Sequence, residues 1–219
     1  KYAIDREHVL QQILRGYGSI GNDHPIGPNQ KYYASELPQR KYDPDKARFH
    51  MKKAGMLDYP FQLHGADAAF GGAVDAAVLF KEHAAKAGIK IEVVREPNDG
   101  YWENIWMKKP WVMCYWSGRA TADWMFSTAY AQDSPWNDTF WKNEQFNMLL
   151  REARAELDDN KRSELYAECQ RIVRDEGGVV IPVFANWIEA ATNKLNIENP
   201  AGNWEMDGQR APERWWFES

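Results

Sequence analysis

Apolar positions recur with helical spacing in some segments of the chain and with strand spacing in others. The first stripe predicts a helix that Asp5 caps and Gly16 ends, and Asp43-Pro44 begins a second helix that stops at Gly55. Further helices are predicted near 72–87, 101–108, 143–157 and 160–175, and strands near 61–63, 89–94, 111–115 and 179–184. This alternation predicts an α/β fold with an open mixed sheet flanked by helices.

Two segments are less regular. Residues 188–195 could pair with the strand before them, and the tail through Pro200 and Pro212 to Trp216 is expected to be irregular. Residues 16–42 hold three prolines and little periodicity, and a connection of this length in a compact domain is usually functional. This connection begins with a GxGxxG pattern. Because a helix precedes the pattern and a proline-bearing loop follows it, no nucleotide site is expected.

Tryptophan is concentrated in one stretch, because seven of the 11 tryptophans lie between Trp102 and Trp141. Three lie among Gly, Ser, Thr, Asp and Pro, where a loop is expected, and are the best candidates for a stacking surface: Trp116, Trp124 and Trp136. Three others have helical or strand spacing and are expected in the core: Trp102, Trp106 and Trp111. The stretch therefore predicts a site for a small ligand with apolar faces and polar edges.

Arg119 is the strongest polar candidate. It follows Gly118 in the loop after a predicted strand, and in an open α/β sheet the carboxyl ends of strands feed the ligand crevice. Its guanidinium could clamp a carboxylate, a phosphate or a pair of sugar hydroxyls; an ion pair with Asp123 or a surface charge are the alternatives. The other candidates are Ser117 and Asn137 for hydrogen bonds, Asp123 for charge, His24 for ligand or interdomain contact, and Tyr32 and Tyr33 for the cleft rim.

Composition narrows the class of protein. The 219 residues are 44% hydrophobic and 27% charged with a net charge of −5, so we expect a soluble globular chain and no nucleic-acid partner. The longest apolar stretch, residues 178–184, is far shorter than the roughly 20 residues that span a bilayer, so membrane insertion is not expected. The chain opens at Lys1 with neither an initiator Met nor an apolar leader, which indicates no signal peptide and a fragment or processed product.

Motifs for metal, redox and catalytic chemistry are weak. The five histidines lack metal-ligand spacing and the two cysteines, Cys114 and Cys169, lack zinc or redox spacing, so no metal or cofactor is predicted. The cysteines are either free or bridged. Three loop carboxylates could supply a glycosidase pair: Asp123, Asp133 and Asp138. A carbohydrate-active enzyme or carbohydrate-binding module is therefore the alternative to a binding lobe without catalysis.

Several short motifs follow one another along most of the chain. They are Ala3-Ile-Asp-Arg6, Tyr42-Asp-Pro-Asp-Lys-Ala47 with Ala54-Gly55, Ala87-Gly-Ile-Lys-Ile91, Trp116-Ser-Gly118, Leu149-Leu-x-x-Ala153 to Asp158, and Leu165-Tyr166 followed by Val180-Ile-Pro-Val183. In this order they resemble the C-terminal lobe of periplasmic solute-binding proteins of ABC importers, in the dipeptide/oligopeptide-binding class known as family 5.

The resemblance implies a fold, a role and partners. It implies that residues 1–219 are one lobe of a two-lobe, class II periplasmic-binding-protein-like fold, with a core of about 1–178 and a return segment of about 179–219 toward the hinge. It also implies a periplasmic location and capture of ligand by hinge closure, without enzymatic activity. The implied partners are the missing N-terminal lobe, a small-molecule solute and the ABC permease subunits.

The chain departs from this family pattern at one position. Peptide binders of the class commonly carry an Asp three residues after the Trp that aligns with Trp116, and that acid pairs with the α-ammonium of the peptide. Arg119 stands there instead, and a cation would repel an ammonium. We therefore expect a ligand with an anionic or hydroxyl-rich group at this end, such as an oligosaccharide, a sugar acid, an opine-like conjugate or a modified peptide.

Overall fold

The computed structural model describes residues 1–202 and 204–218, and its helices and strands confirm the α/β class. The helices of the described residues are α1 (Arg6–Gln12), α2 (Pro44–Lys53), α3 (Ala73–Ala85), α4 (Tyr101–Asn104), α5 (Ala122–Ala129), α6 (Glu144–Ala155), α7 (Asp159–Glu176), α8 (Glu205–Gln209) and α9 (Ala211–Arg214). The strands are β1 (Gly18–Ile20), β2 (Pro60–Gly65), β3 (Lys90–Arg95), β4 (Val183–Ala185), β5 (Leu195–Asn196) and β6 (Trp216–Phe217). They pair as three small sheets, one parallel and two antiparallel.

The parallel sheet consists of β2 and β3, which α3 connects. Residues 111–113 lie along the other edge of β2: the His64 amide donates to the Trp111 carbonyl at 3.0 Å, and the Met113 amide donates to the His64 carbonyl at 2.8 Å. The buried Tyr101 hydroxyl of α4 also donates to the Met113 carbonyl, at 2.6 Å. The predicted strand at 111–115 is therefore correct only in its first half, since among the described residues the pairing ends at Met113.

The helices α5, α6 and α7 enclose the largest apolar core, in which Phe126, Phe146 and Ile172 are fully buried. Helix α5 lies inside the stretch that the sequence predicted as loop. Thr121 caps this helix, because its hydroxyl accepts a hydrogen bond from the Trp124 amide at 3.1 Å. A helix of eight residues gives too short an apolar stripe to stand out in the sequence.

The end of the chain pairs differently from the prediction. Strand β5 pairs with β6 rather than with β4, so the expected pairing of residues 188–195 with the preceding strand is wrong. The tail expected to be irregular contains α8 and α9. Strand β4 instead pairs antiparallel with β1, placing Phe184 opposite Ser19. No helix within residues 1–202 and 204–218 combines the length and apolar character needed to cross a bilayer.

The long connection, residues 16–42, is anchored by a buried carboxylate. Arg6 Nη2 lies 2.7 and 2.6 Å from the two oxygens of Asp23, and Arg40 Nε lies 2.9 Å from Asp23 Oδ2. Asp23 Oδ1 also accepts a hydrogen bond from the Ile181 amide at 3.1 Å, and Arg40 Nη2 reaches Asp175 of α7 at 3.0 Å. We call these five residues the Asp23 network. It joins α1, the long connection, the segment before β4 and α7.

His24 lies next to this network and is completely buried. Its ring is 5.8 Å from the Tyr33 ring, and neither ring nitrogen has a hydrogen-bond partner in the described residues. Burial lowers the pKa of His24 to about 4, although the Asp23 charge opposes the shift. The expected contact with ligand or with another domain does not fit this position, because the imidazole is completely buried beside Tyr33.

Removing the charge of Asp23 should destabilise the protein strongly. Asp23→Asn leaves the buried Arg6 guanidinium without an anion and leaves Arg40 with only the more exposed Asp175. We therefore expect the free energy of unfolding in urea to fall by about 3–5 kcal/mol. Asp159→Asn is the matched control, because Asp159 forms an exposed pair with Lys31 at 2.7 Å and should leave stability nearly unchanged. Equal effects of the two substitutions would contradict the structural role of the Asp23 network.

Because of His24, the free energy of unfolding should fall as the pH is lowered from about 6.5 to about 4. The unfolded chain takes up a proton on this imidazole near pH 6.5, whereas the folded protein does so only near pH 4. Between these values the unfolded state binds more protons, so acidification should reduce the free energy of unfolding by about 3 kcal/mol through this group. His24→Phe should flatten the dependence of urea midpoints on pH over this window. The exposed His50 provides the control His50→Gln, which should retain the wild-type slope.

Candidate ligand-binding site

The tryptophan-rich loop begins at the carboxyl edge of the parallel sheet, after Met113, and runs to the start of α5. Two distant segments hold it in place. The Gln30 side-chain amide donates to the Arg119 carbonyl at 3.1 Å, and the Trp204 indole donates to the Gly118 carbonyl at 2.8 Å. The long connection and the tail therefore hold the backbone of this loop at Gly118 and Arg119.

The Arg119 guanidinium contacts two indoles, with its Cζ 5.6 Å from the ring centroids of both Trp116 and Trp124. Its Nη1 donates to the Ser117 carbonyl, the Ser117 hydroxyl and the Gly118 carbonyl at 2.9, 3.1 and 3.2 Å. Within the described residues Nε and Nη2 donate to no protein atom, and neither is buried. A guanidinium fixed on one side and open on the other is suited to bind a carboxylate.

Asp123 does not pair with Arg119, so the predicted alternative of an internal ion pair between them is wrong. Its carboxylate oxygens lie 3.1 and 3.2 Å from Arg154 Nε on α6, and the Tyr166 hydroxyl donates to it at 3.4 Å. Burial and the Asp123 charge raise the pKa of that Tyr166 hydroxyl. Asp123 therefore links α5 to α6 and α7, and its charge is already neutralised.

Four tryptophans form a cluster beside the loop: Trp102, Trp106, Trp116 and Trp136. Neighbouring ring centroids in this tryptophan cluster are 5.6 to 6.4 Å apart. The indoles of Trp106 and Trp116 both donate to Oδ2 of Asp138, at 3.0 and 3.1 Å. Trp102 and Trp111 pack against apolar cores as expected, but Trp106 lies in the cluster instead of a core.

Both cysteines are free thiols, and Cys169 is buried. Cys114 lies 3.6 Å from Asp138 Oδ2, and burial, reinforced by that carboxylate, raises the pKa of its thiol. Burial likewise raises the pKa of the Cys169 thiol. At neutral pH neither provides a thiolate nucleophile. No group of three or more His, Cys, Asp or Glu side chains in the described part of the chain is arranged to hold a metal ion.

Several predicted site residues have internal contacts instead. Asn137 is buried and donates to the Trp141 carbonyl at 2.7 Å, which shapes the loop before α6. Tyr32 donates to Asp159 at 2.6 Å, and both Tyr32 and Tyr33 pack against the core of α5–α7. The predicted residues that surround Arg119 are Trp116, Ser117, Gly118 and Trp124, with Trp136 adjoining through Trp116.

Three residues of this surface were missing from the predicted binding site. Asp138 was considered only as a glycosidase carboxylate, although its place two residues after Trp136 was a usable signal. Gln30 and Trp204 contact the loop across 89 and 86 positions of sequence. No local pattern identifies contacts of that range, because periodicity reports only neighbours within a few residues.

Comparison with known proteins gives a consistent family. Residues 1–140 match the family model described as bacterial extracellular solute-binding proteins, family 5 Middle. The chain is 24% identical to the dipeptide-binding protein of Escherichia coli strain K12, covering 92% of this chain and 39% of that protein. It is 25% identical to the glutathione-binding protein GsiB of Salmonella choleraesuis strain SC-B67, covering 94% and 41%. HbpA2 from Haemophilus parasuis has the same fold, with a TM-score of 0.77 at 17% identity, covering 100% of this chain and 44% of that one.

These relatives are binding proteins for a dipeptide and for glutathione, so the oligosaccharide, sugar-acid, opine and carbohydrate-enzyme alternatives find no support in them. The chain spans about two fifths of the length of these curated relatives, 39% and 41%. The family model matches well over half of the chain. The chain therefore belongs to the bacterial extracellular solute-binding proteins of family 5.

Proposed function

We propose that this chain is one lobe of a two-lobe binding protein that captures short peptides in the periplasm and delivers them to the permease of an ABC importer. The family and the dipeptide- and glutathione-binding relatives support this proposal. In this proposal residues 1–219 are the C-terminal lobe, with about 179–219 returning toward the hinge and an N-terminal lobe as partner. The role in this proposal is binding without catalysis, and no cofactor takes part.

The observation on which the proposal rests is that only one of the three nitrogens of the Arg119 guanidinium is hydrogen-bonded within the described residues. Its Nη1 is occupied by carbonyls of its own loop, whereas Nε and Nη2 donate to no atom of the described residues. We call this pair of N–H groups, on Nε and Nη2, the Arg119 fork. A short peptide has a terminal carboxylate, whose two oxygens can accept two parallel hydrogen bonds from the fork. Trp116 and Trp124 hold the fork in place and offer apolar faces to neighbouring peptide groups. Arg119 thus binds the carboxylate end of the ligand.

Exposed apolar residues near the β1–β4 pair are consistent with a contact to a second lobe. Tyr17 and Trp187 flank this pair and are 56% and 53% exposed, and Ile188 beside them is 66% exposed. Large apolar side chains grouped on a surface usually mark a contact with another domain or protein. We assign this patch to the hinge side of the N-terminal lobe. Ligand would then favour the closed protein because it contacts both lobes better there.

The bound solute can be identified directly by mass spectrometry. The whole protein, with both lobes, is purified from its native host and denatured, and the released small molecules are analysed by mass spectrometry. We expect peptides of a few residues that carry a free terminal carboxylate. Recovery of sugars or opine-like conjugates would refute the peptide proposal.

Loss of the Arg119 fork should lower the affinity of the protein for peptides that have a free terminal carboxylate. Calorimetric titration of the whole protein with the recovered peptide should show Arg119→Gln binding about 10- to 100-fold more weakly than wild type. The C-terminally amidated peptide should bind wild type and variant with similar affinity. Arg151→Gln is the control, since Arg151 is exposed on α6 and should not change binding. An equal loss for the free and the amidated peptide would show that Arg119 does not bind the carboxylate.

A further inference from the structure

The carboxylate of Asp138 accepts hydrogen bonds but has no cationic partner among the described residues. Its Oδ2 accepts from the indoles of Trp106 and Trp116, and the Cys114 sulfur lies 3.6 Å from the same atom. Among the described residues no Lys, Arg or His nitrogen lies within 4.0 Å of Asp138. Its Oδ1 accepts no hydrogen bond from them and retains access to solvent. One oxygen is therefore fixed by the protein and the other is open.

An anion in this setting is unusual for a folded chain. Asp138 is half-buried beside aromatic rings, where a charge loses much of its hydration and is normally paired. Two other carboxylates that are at least partly buried follow that rule: Asp123 pairs with Arg154, and Asp23 pairs with Arg6 and Arg40. Two neutral indole donors fix the orientation of Asp138 without cancelling its charge. The described residues therefore supply no counter-charge to Asp138.

The rings around Asp138 also favour a cation. Trp136 is 53% exposed, and its ring centroid lies 5.6 Å from that of Trp106 and 6.4 Å from that of Trp116. An ammonium beside such rings gains cation–π attraction, and tryptophan gives the strongest. An open carboxylate oxygen within a frame of three indoles thus provides both a charge partner and aromatic surfaces.

We infer that Asp138, framed by Trp106, Trp116 and Trp136, is a subsite for an ammonium group of the ligand. The α-ammonium as its occupant rests on the proposed function, which makes the ligand a peptide. Trp116 connects this subsite to the Arg119 fork. Its N–H donates to Asp138 at 3.1 Å, and its ring centroid lies 5.6 Å from the Arg119 Cζ. One indole thus lies next to an anion and a cation, so the surface is complementary to a short zwitterion.

The test compares two forms of one peptide on two forms of the whole, two-lobe protein. Wild type and Asp138→Asn are titrated by calorimetry with the recovered peptide and with its N-acetylated derivative. The substitution keeps an oxygen acceptor for the indoles but removes the charge. We expect Asp138→Asn to bind the free peptide about 10- to 100-fold more weakly, and the acetylated peptide to bind both proteins equally. An equal loss with both peptides, or no loss with either, would overturn the assignment.

A control variant and a second probe separate the possible failures. Asp133→Asn removes an exposed carboxylate five positions earlier and should bind like wild type, and thermal unfolding checks that both variants fold. Leucinamide, an ammonium without a carboxylate, should change the tryptophan fluorescence of wild type but not of Asp138→Asn. If no peptide binds but leucinamide does so through Asp138, the peptide proposal fails and the subsite stands. If leucinamide gives no Asp138-dependent signal and peptides bind both proteins alike, the subsite fails while peptide capture stands.

Discussion

The rest of the structure depends on the neutralisation of one buried anion, the Asp23 carboxylate. Arg6 and Arg40 contact it from two segments, and the Ile181 amide contacts it from a third. A buried carboxylate is stable only when opposite charges and hydrogen bonds offset its lost hydration. That condition fixes the long connection against α1 and α7. Gln30 in the same connection donates to the Arg119 carbonyl, which links the buried charge to the tryptophan-rich loop.

The proposed binding surface is organised around Trp116. Its ring lies under a guanidinium, while its N–H donates to a carboxylate. The two charges do not cancel each other, because Arg119 makes its contacts with loop carbonyls and Asp138 accepts from indoles. Rigid aromatic side chains keep such charged groups oriented before ligand arrives, which lowers the entropy lost on binding. The two proposed subsites together predict a preference for ligands that carry both charges over ligands that carry one.

The long periodic elements were predicted well. Helices α2, α3, α6 and α7 and strands β2 and β3 lie within a few residues of their expected bounds, since each has a clear stripe or run with a cap or glycine beside it. Short elements were predicted poorly: α4 is shorter than expected, α5 was missed, and the pairing of residues 188–195 was wrong. Elements of this length are stabilised by packing against other segments rather than by their own sequence.

The sequence by itself determined the fold class, the family motifs, the helix caps and the loop that carries Trp116 and Arg119, because these depend on residues that are close together in the chain. Tertiary structure decided the partners of the charges and the burial of His24. Asp123 pairs with Arg154 instead of Arg119, and Asp138 receives indole donors from two separate segments. A side chain's electrostatic partner and its access to water depend on which distant segments pack beside it, and local periodicity carries no information about that packing.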